Sequence, residues 1–524
     1  MISVGRVIAA AAAILSVSSA VRLSAQETTA GRDVYLKWCA GCHGETGAGD
    51  GPGAAAMLPR PRDFTGAIYQ IRSTATGGLP TDADLMKVID EGVHGTAMPG
   101  WRDRLSDRER RDVAAYVKTF SAFFADTTQR PVPHEFSRAP GGGDEGLRVG
   151  RQFFDSIGCV KCHGDAGRGD GPSAPTLEDD AGHPIYAADL SQNWRFNGGG
   201  TVEDIYHRLR TGLDGTPMPS FSDLIDQQFL NDEQLWRVAQ YVRSLSPEAA
   251  PALRDVVHAP AITGPLPADP DDSTWTRVDT YWFPLVGQII RTPRWFTPAV
   301  AGVWVQAVHT ADSLALRLVW DDRSRSPDPE WVEFAEKVLT AAQDDDSTRA
   351  PAEAWPDQIA VQFPRHLTDG MERPYFLMGA ANDPVYQWRW TSSAEGGTAV
   401  SGVARGIQQF APQAPGLGAR AVHDKGQWRL VLTRSLATAD TVNQLQFAAG
   451  RPIPLAFFAW DGSSGERGSR MGVSTWYFLA LDTPTPASTY VSPLVAMALT
   501  LGLGLVVVRR AQRRNSSGGT GRTA

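Results

Sequence analysis

Apolar positions along the chain follow three successive regimes. In the first half they recur at helical spacing in two blocks. Tyr35 and Trp38 open the first, and Val113-Ala114-Ala115-Tyr116-Val117 closes it. Phe153, Phe154 and Ile157 open the second, and Val238-Ala239-Gln240-Tyr241-Val242 closes it. Ser106 with Glu109, and Asn231 with Gln234, predict capping boxes at the starts of the two closing helices. From about 273 to 482 the apolar runs shorten to strand length. Val303–Val308 and Leu314–Trp320 flank a short turn and predict a hairpin. Further strands are predicted at 358–363, 385–390, 428–433, 454–460 and 474–481. One helix is predicted near 329–342, where Trp331, Phe334, Ala335, Val338 and Leu339 share a face. Many short strands with Gly/Pro turns predict an all-β sandwich.

The third regime is continuous. Leu494 to Val508 carries no charged residue, and counted from Val491 the run is 18 residues, inside the roughly 17–25 that cross a bilayer. Arg509, Arg510, Arg513 and Arg514 follow. The positive-inside rule then puts 509–524 in the cytoplasm and the body outside. The rival reading is a buried core helix. At the other end, Arg6, the apolar run from Val7 to about Val17, and Leu23-Ser24-Ala25 have the order of a secretory signal at 1–25; an uncleaved anchor is the alternative.

The two helical blocks are copies of one unit. Cys39-Ala40-Gly41-Cys42-His43-Gly44 is matched by Cys159-Val160-Lys161-Cys162-His163-Gly164. Gly49-Asp50-Gly51-Pro52 is matched by Gly169-Asp170-Gly171-Pro172. Gly95-Thr96-Ala97-Met98-Pro99 is matched by Gly215-Thr216-Pro217-Met218-Pro219. The step from histidine to methionine is 55 residues in both, a coincidence chance rarely supplies. The second copy has extra residues after its methionine, read as a surface loop. Two Pro/Gly-rich stretches, about 121–145 and 246–272, read as extended linkers that let the units swing.

Cys-x-x-Cys-His is the attachment pattern of c-type haem: the thiols add to the vinyl groups and the histidine sits beneath the iron. Zinc would want four ligands, and each unit gathers two cysteines and one histidine. A dithiol redox site has no use for the histidine. Met98 and Met218 lie in Pro-bearing, Gly-rich loops, where core filling explains a methionine poorly. They are the expected sixth ligands, giving His43/Met98 and His163/Met218. Both units resemble class I cytochrome c domains, over roughly 29–122 and 146–247. That resemblance implies six-coordinate haems that pass electrons and leave no position open for substrate.

The β region, 273–482, resembles the haem-binding domain of ethylbenzene dehydrogenase γ subunits and related DMSO-reductase-type molybdoenzymes. The likeness rests on Gln358–Pro364, Pro374-Tyr375-Phe376-Leu377-Met378-Gly379, Trp388-Arg389-Trp390, Trp428–Arg434 and Ala456–Gly462. It implies one non-covalent haem b with methionine and lysine ligands. Met378 matches the methionine. The lysine is missing from Gly465-Glu466-Arg467-Gly468-Ser469-Arg470-Met471; arginine ligates iron poorly, so Met471 is the candidate second ligand. Lys425, in a turn, reads as solvated. The alternative is that Met378 is core and the domain holds no haem.

The expected architecture is therefore multidomain: two all-α cytochrome c domains, an all-β sandwich and a transmembrane helix at 491–508. A net charge of −8 gives no basic field for nucleic acid. The expected role is electron transfer and not catalysis, on the outer face of the cytoplasmic membrane. Partners would be the iron–sulfur subunit of a molybdoenzyme, and a soluble cytochrome or quinol-linked respiratory complex. A second reading makes the β domain a plain binding module, with Trp282, Trp295, Trp304 and Trp320 as a binding face. A third, a peroxidase or dehydrogenase, lacks a nucleophile–base pair: His309, His366 and His423 are scattered and read as structural.

Overall fold

The computed structural model describes residues 29–343, 351, 353, 355–367, 372–413, 416–483 and 487–517. The predicted secretory signal lies outside them. The first unit holds helix α1 (29–38), α2 (Ala40–His43), α3 (Asp82–Glu91) and α4 (Asp107–Lys118). The second holds α5 (Asp144–Ser156), α6 (Val160–His163), α7 (Val202–Thr211), α8 (Ser222–Asp226) and α9 (Asp232–Ser244). Capping boxes start α4 at Ser106/Glu109 and α9 at Asn231/Gln234. A second matched pair, Thr81/Asp84 and Thr201/Asp204, starts α3 and α7; its acid is Asp, not the Glu/Gln of the usual pattern.

The opening helix of each unit crosses the closing one at a glycine. A Cβ on Gly31 would lie 2.1 Å from the Asp112 carbonyl oxygen, and one on Gly150 2.1 Å from that of Arg237. Only glycine permits so close an approach. Phe154, Leu235, Val238 and Ala239 fill the crossing in the second unit. The extra residues after Met218 are more than a surface loop, because Phe221 and Leu230 anchor α8 in that core.

The β region packs two sheets face to face. The five-stranded one runs 418–423, 427–435, 313–321, 302–309, 281–284. The main path of the larger runs 256–259, 477–481, 452–460, 358–364, 385–391, 398–404, 410–412. Phe283, Val305, Leu316, Trp320, Val361, Trp388, Leu430 and Phe457 are buried between them. The hairpin Gly302–His309/Ser313–Asp321 and helix α10 (Val332–Ala341) lie where the apolar pattern put them.

The linker reading needs correction. Val256–Ala259, in the supposed second linker, pairs in parallel with Tyr477–Leu481. In the first, the His134 amide donates to the Ser73 carbonyl at 2.8 Å, and Phe136 stacks on His207 at 3.9 Å. The domains are docked rather than swinging. Arg72, fully buried, reaches Asp214 at 2.8 Å and donates to the Thr211 carbonyl at 2.9 Å. Arg208 donates to the carbonyls of Gln70 and Arg72. The sandwich meets the first unit through Leu58 N to Thr297 Oγ1, 2.8 Å. It meets the second through Arg168–Asp321, 3.0 Å.

Helix α11 (Ala487–Ser517) contains a span, Val491–Arg514, long and apolar enough to cross a membrane, with mean hydropathy 2.3 and no burial against the rest of the chain.

Candidate haem sites

One helical turn assembles each attachment motif. The His43 amide donates to the Cys39 carbonyl at 3.0 Å, and that of His163 to Cys159 at 2.9 Å. Residues three and four apart share a helix face, so both thiols and the imidazole are presented together. All four cysteines are unpaired. Burial pushes the Cys39 thiol up to about 11 and the Cys159 thiol up to about 12. A dithiol redox centre requires a depressed thiol pKa, so these environments do not suit one.

The histidines are oriented identically. His43 Nδ1 lies 2.9 Å from the Arg62 carbonyl oxygen, and His163 Nδ1 2.9 Å from that of Ala188. A carbonyl only accepts, so Nδ1 carries the proton and Nε2 keeps its lone pair for a metal. Burial lowers both imidazole pKa values, which favours this neutral form. His43 also stacks on Phe64 at 4.5 Å.

The chain then folds back along the motif. Gly49 N donates to the His43 carbonyl and Gly51 N to that of Cys42; Gly169 and Gly171 repeat this in the second unit. Gly44 and Gly164, at φ 76° and 72°, turn the chain beside Asp50 and Asp170. Met98 and Met218 sit in equivalent closed loops. Val93 N donates to the Met98 carbonyl and Leu213 N to that of Met218, each at 3.0 Å. Thr96 and Thr216 hydroxyls accept from the methionine amides. Both side chains are partly exposed, and Met218 borders the same core as Cys159. Lone-pair nitrogens, unpaired thiols and accessible thioethers fit c-type haem at both motifs.

The carbonyls of Arg62 and Ala188 were not visible as site residues in the sequence, because any residue type supplies one. Each methionine loop also abuts the other unit. A Cβ on Gly95 would lie 2.6 Å from the Arg195 carbonyl oxygen, and one on Gly215 3.1 Å from Arg62 Nη1.

The sandwich differs. Met378 and Met471 are both 0% exposed and belong to one packed cluster with Phe458, Trp460 and Trp476. Neither side chain reaches solvent, and the Met378 sulfur faces Arg389 Nη2 at 3.6 Å. A sulfur that ligates a porphyrin needs a slab of space before it. The expected Met378/Met471 haem b pair therefore does not fit. Arg470 is also buried, above Trp295, while Lys425 is exposed in its turn. The aromatic binding face is largely internal: Trp295 and Trp320 are fully buried, Trp282 is 6% exposed, and Trp304 alone of the four is half-buried, packed on Trp282 at 4.8 Å. His309 sits between the carbonyls of Thr310 and Asp482.

Residues 26–117 match the family model "Cytochrome C oxidase, cbb3-type, subunit III", and residues 148–246 match "Cytochrome c". The haem subunit ORF7 assigned to a respiratory nitrate reductase of Haloferax mediterranei is 26% identical over 47% of this chain and 81% of that protein. Chlorate reductase subunit gamma of Ideonella dechloratans is 26% identical over 44% of this chain and 87% of that protein. A chain of the reducing HAO-like protein complex of Kuenenia stuttgartiensis is 40% identical, covering 42% of this chain and 96% of that one, with TM-score 0.39. This chain thus carries two cytochrome c domains in its N-terminal half, followed by a β-sheet-rich region and an apolar C-terminal helix.

Proposed function

We infer that the chain is a membrane-anchored, exported electron-transfer subunit. It relays electrons between a partner oxidoreductase of the molybdoenzyme class and the respiratory chain or a soluble cytochrome. The observation that carries this is the duplicated site: two cysteines, a histidine with Nε2 free for metal, and a methionine 55 residues on, held by the same hydrogen bonds in both copies. Haem c bound there would supply a one-electron iron couple. The thioethers of Met98 and Met218 would close the far face and exclude small ligands. His43 and His163 would hold the near face, oriented by the Arg62 and Ala188 carbonyls.

The reciprocal contacts of the Gly95 and Gly215 loops support transfer between the two sites within a docked pair. The likeness to a chlorate reductase gamma subunit supports a place beside a reductase. The exposed span Val491–Arg514 supports anchoring. On this reading the sandwich holds the cytochrome pair against its partner.

Native purification from membranes tests the proposal. The expected result is co-elution with a molybdenum-containing oxidoreductase whose substrate oxidises or reduces both haems. Elution alone, with haems that respond to no co-purified enzyme, would contradict it.

A further inference from the structure

Three strands of the sandwich end at one place. Asp322 follows Ser313–Asp321 of the smaller sheet. Asp357 precedes Gln358–Pro364 and Asp461 follows Pro452–Trp460, both of the larger sheet. One carboxylate oxygen from each lies within 4.8 Å of the others. The three residues are 3%, 0% and 1% exposed.

Two of them are held by donors. Asp357 accepts from the Gly462 and Ser326 amides at 3.0 and 2.7 Å and from Trp428 Nε1 at 3.1 Å. Asp461 accepts from the Ser463 hydroxyl, and from the Ser464 amide and hydroxyl. This many donors orient each group as an acceptor, as an ionised carboxylate requires. The third has fewer donors: Asp322 Oδ1 accepts from the Ser324 amide at 3.3 Å, while its fully buried Oδ2 has no partner in hydrogen-bond geometry, the nearby Trp320 indole included. Across the domain boundary the buried Tyr186 hydroxyl stands near Ser464 and Asp461. Burial and mutual repulsion raise Asp322 and Asp357 well above the usual carboxylate range, with no arginine or lysine among the leading influences on either. Buried carboxylates without a counter-charge are costly. What the three neighbouring carboxylates lack is a positive charge between them.

We propose that Asp322, Asp357 and Asp461 bind a calcium ion that ties the two sheets together at this end of the sandwich. The donor set is all oxygen and all carboxylate, the preference of a hard divalent cation. Ligands from three separate strand ends suit calcium's irregular coordination better than the near-ideal octahedron magnesium demands. The site faces the second cytochrome domain, so the ion also stiffens the surface on which that domain docks.

The test uses the full-length haem-loaded protein. Metal analysis after gel filtration should find about one calcium per chain. Chelator should lower the calorimetric melting temperature, and calcium, not magnesium, should restore it. Asp322→Asn should lose both the calcium and the chelator response. The proposal is overturned if the native protein holds no calcium and melts at the same temperature with chelator or with added calcium. That result would mean the three carboxyls share protons instead. The wild-type comparison decides the matter even if Asp322→Asn fails to fold. Restoration by magnesium as readily as by calcium would overturn the choice of ion.

Discussion

Arg72 of the first cytochrome domain meets Asp214 of the second at 2.8 Å, with the arginine side chain wholly inside the interface. Its guanidinium also donates to the carbonyls of Tyr69, Ala75 and Thr211. Removing one partner of a buried pair costs about 3–5 kcal/mol. The carbonyl acceptors and the partial exposure of Asp214 favour the lower end. Asp214→Asn should therefore weaken docking by about 3 kcal/mol. Calorimetry should show the two cytochrome domains melting apart where the wild type melts them together. Unchanged melting would mean the interface does not depend on this pair.

The methionines separate a closed site from an open one. Met98→Ala and Met218→Ala should each retain both covalent haems yet bind carbon monoxide at one iron when reduced. The potential of the altered haem should fall, because the thioether favours ferrous iron. A variant whose spectrum ignores carbon monoxide would show that another group holds the sixth position.

Gly150 tests the fold of the second cytochrome domain. A Cβ there would stand 2.1 Å from the Arg237 carbonyl, which is backbone and cannot swing aside. Overpacking of this kind costs about 1–3 kcal/mol. Gly150→Ala should lower the melting temperature of that domain by several degrees. Gly141→Ala, in open space, should not.

Asp321 sets a pH dependence on the contact between the second cytochrome domain and the sandwich. Burial, then repulsion from Asp189, raises its carboxyl from 3.8 to about 7 against the pull of Arg168. The docked form thus holds a proton that the separated form releases. Its contribution to docking is complete below about pH 3.8 and is lost as pH rises through about 7. The melting temperature of wild type relative to Asp321→Asn should fall across that window. A difference that rises instead would show Arg168 prevailing over burial.

Much of this molecule was readable from residue spacing alone. The repeat, the Cys-x-x-Cys-His turns and the capping boxes of α4 and α9 are local, so the chain spells them out. Strands with both faces buried, such as Gln358–Pro364, announce themselves by apolar runs. Val256–Ala259 did not, being four residues among prolines whose partner lies over 200 positions away. The Arg62 and Ala188 carbonyls carry no residue-type signal. Docking was hidden because prolines read as spacers whether the chain is free or laid against a surface. Met378 illustrates the opposite hazard: its motif suggested a ligand, but packing against Arg389 and the Trp460/Trp476 cluster decides what the sulfur can reach.

Two covalently held haems, each closed by a methionine thioether, would make this chain a conductor without a third haem in the sandwich. Haem quantification on the purified full-length protein, with and without acid–solvent extraction and carbon monoxide, tests it directly. The expected result is two covalently held haems per chain, no extractable haem, and no carbon monoxide shift in the reduced spectrum. An extractable third haem, fewer than two covalent ones, or carbon monoxide binding at both irons would contradict it.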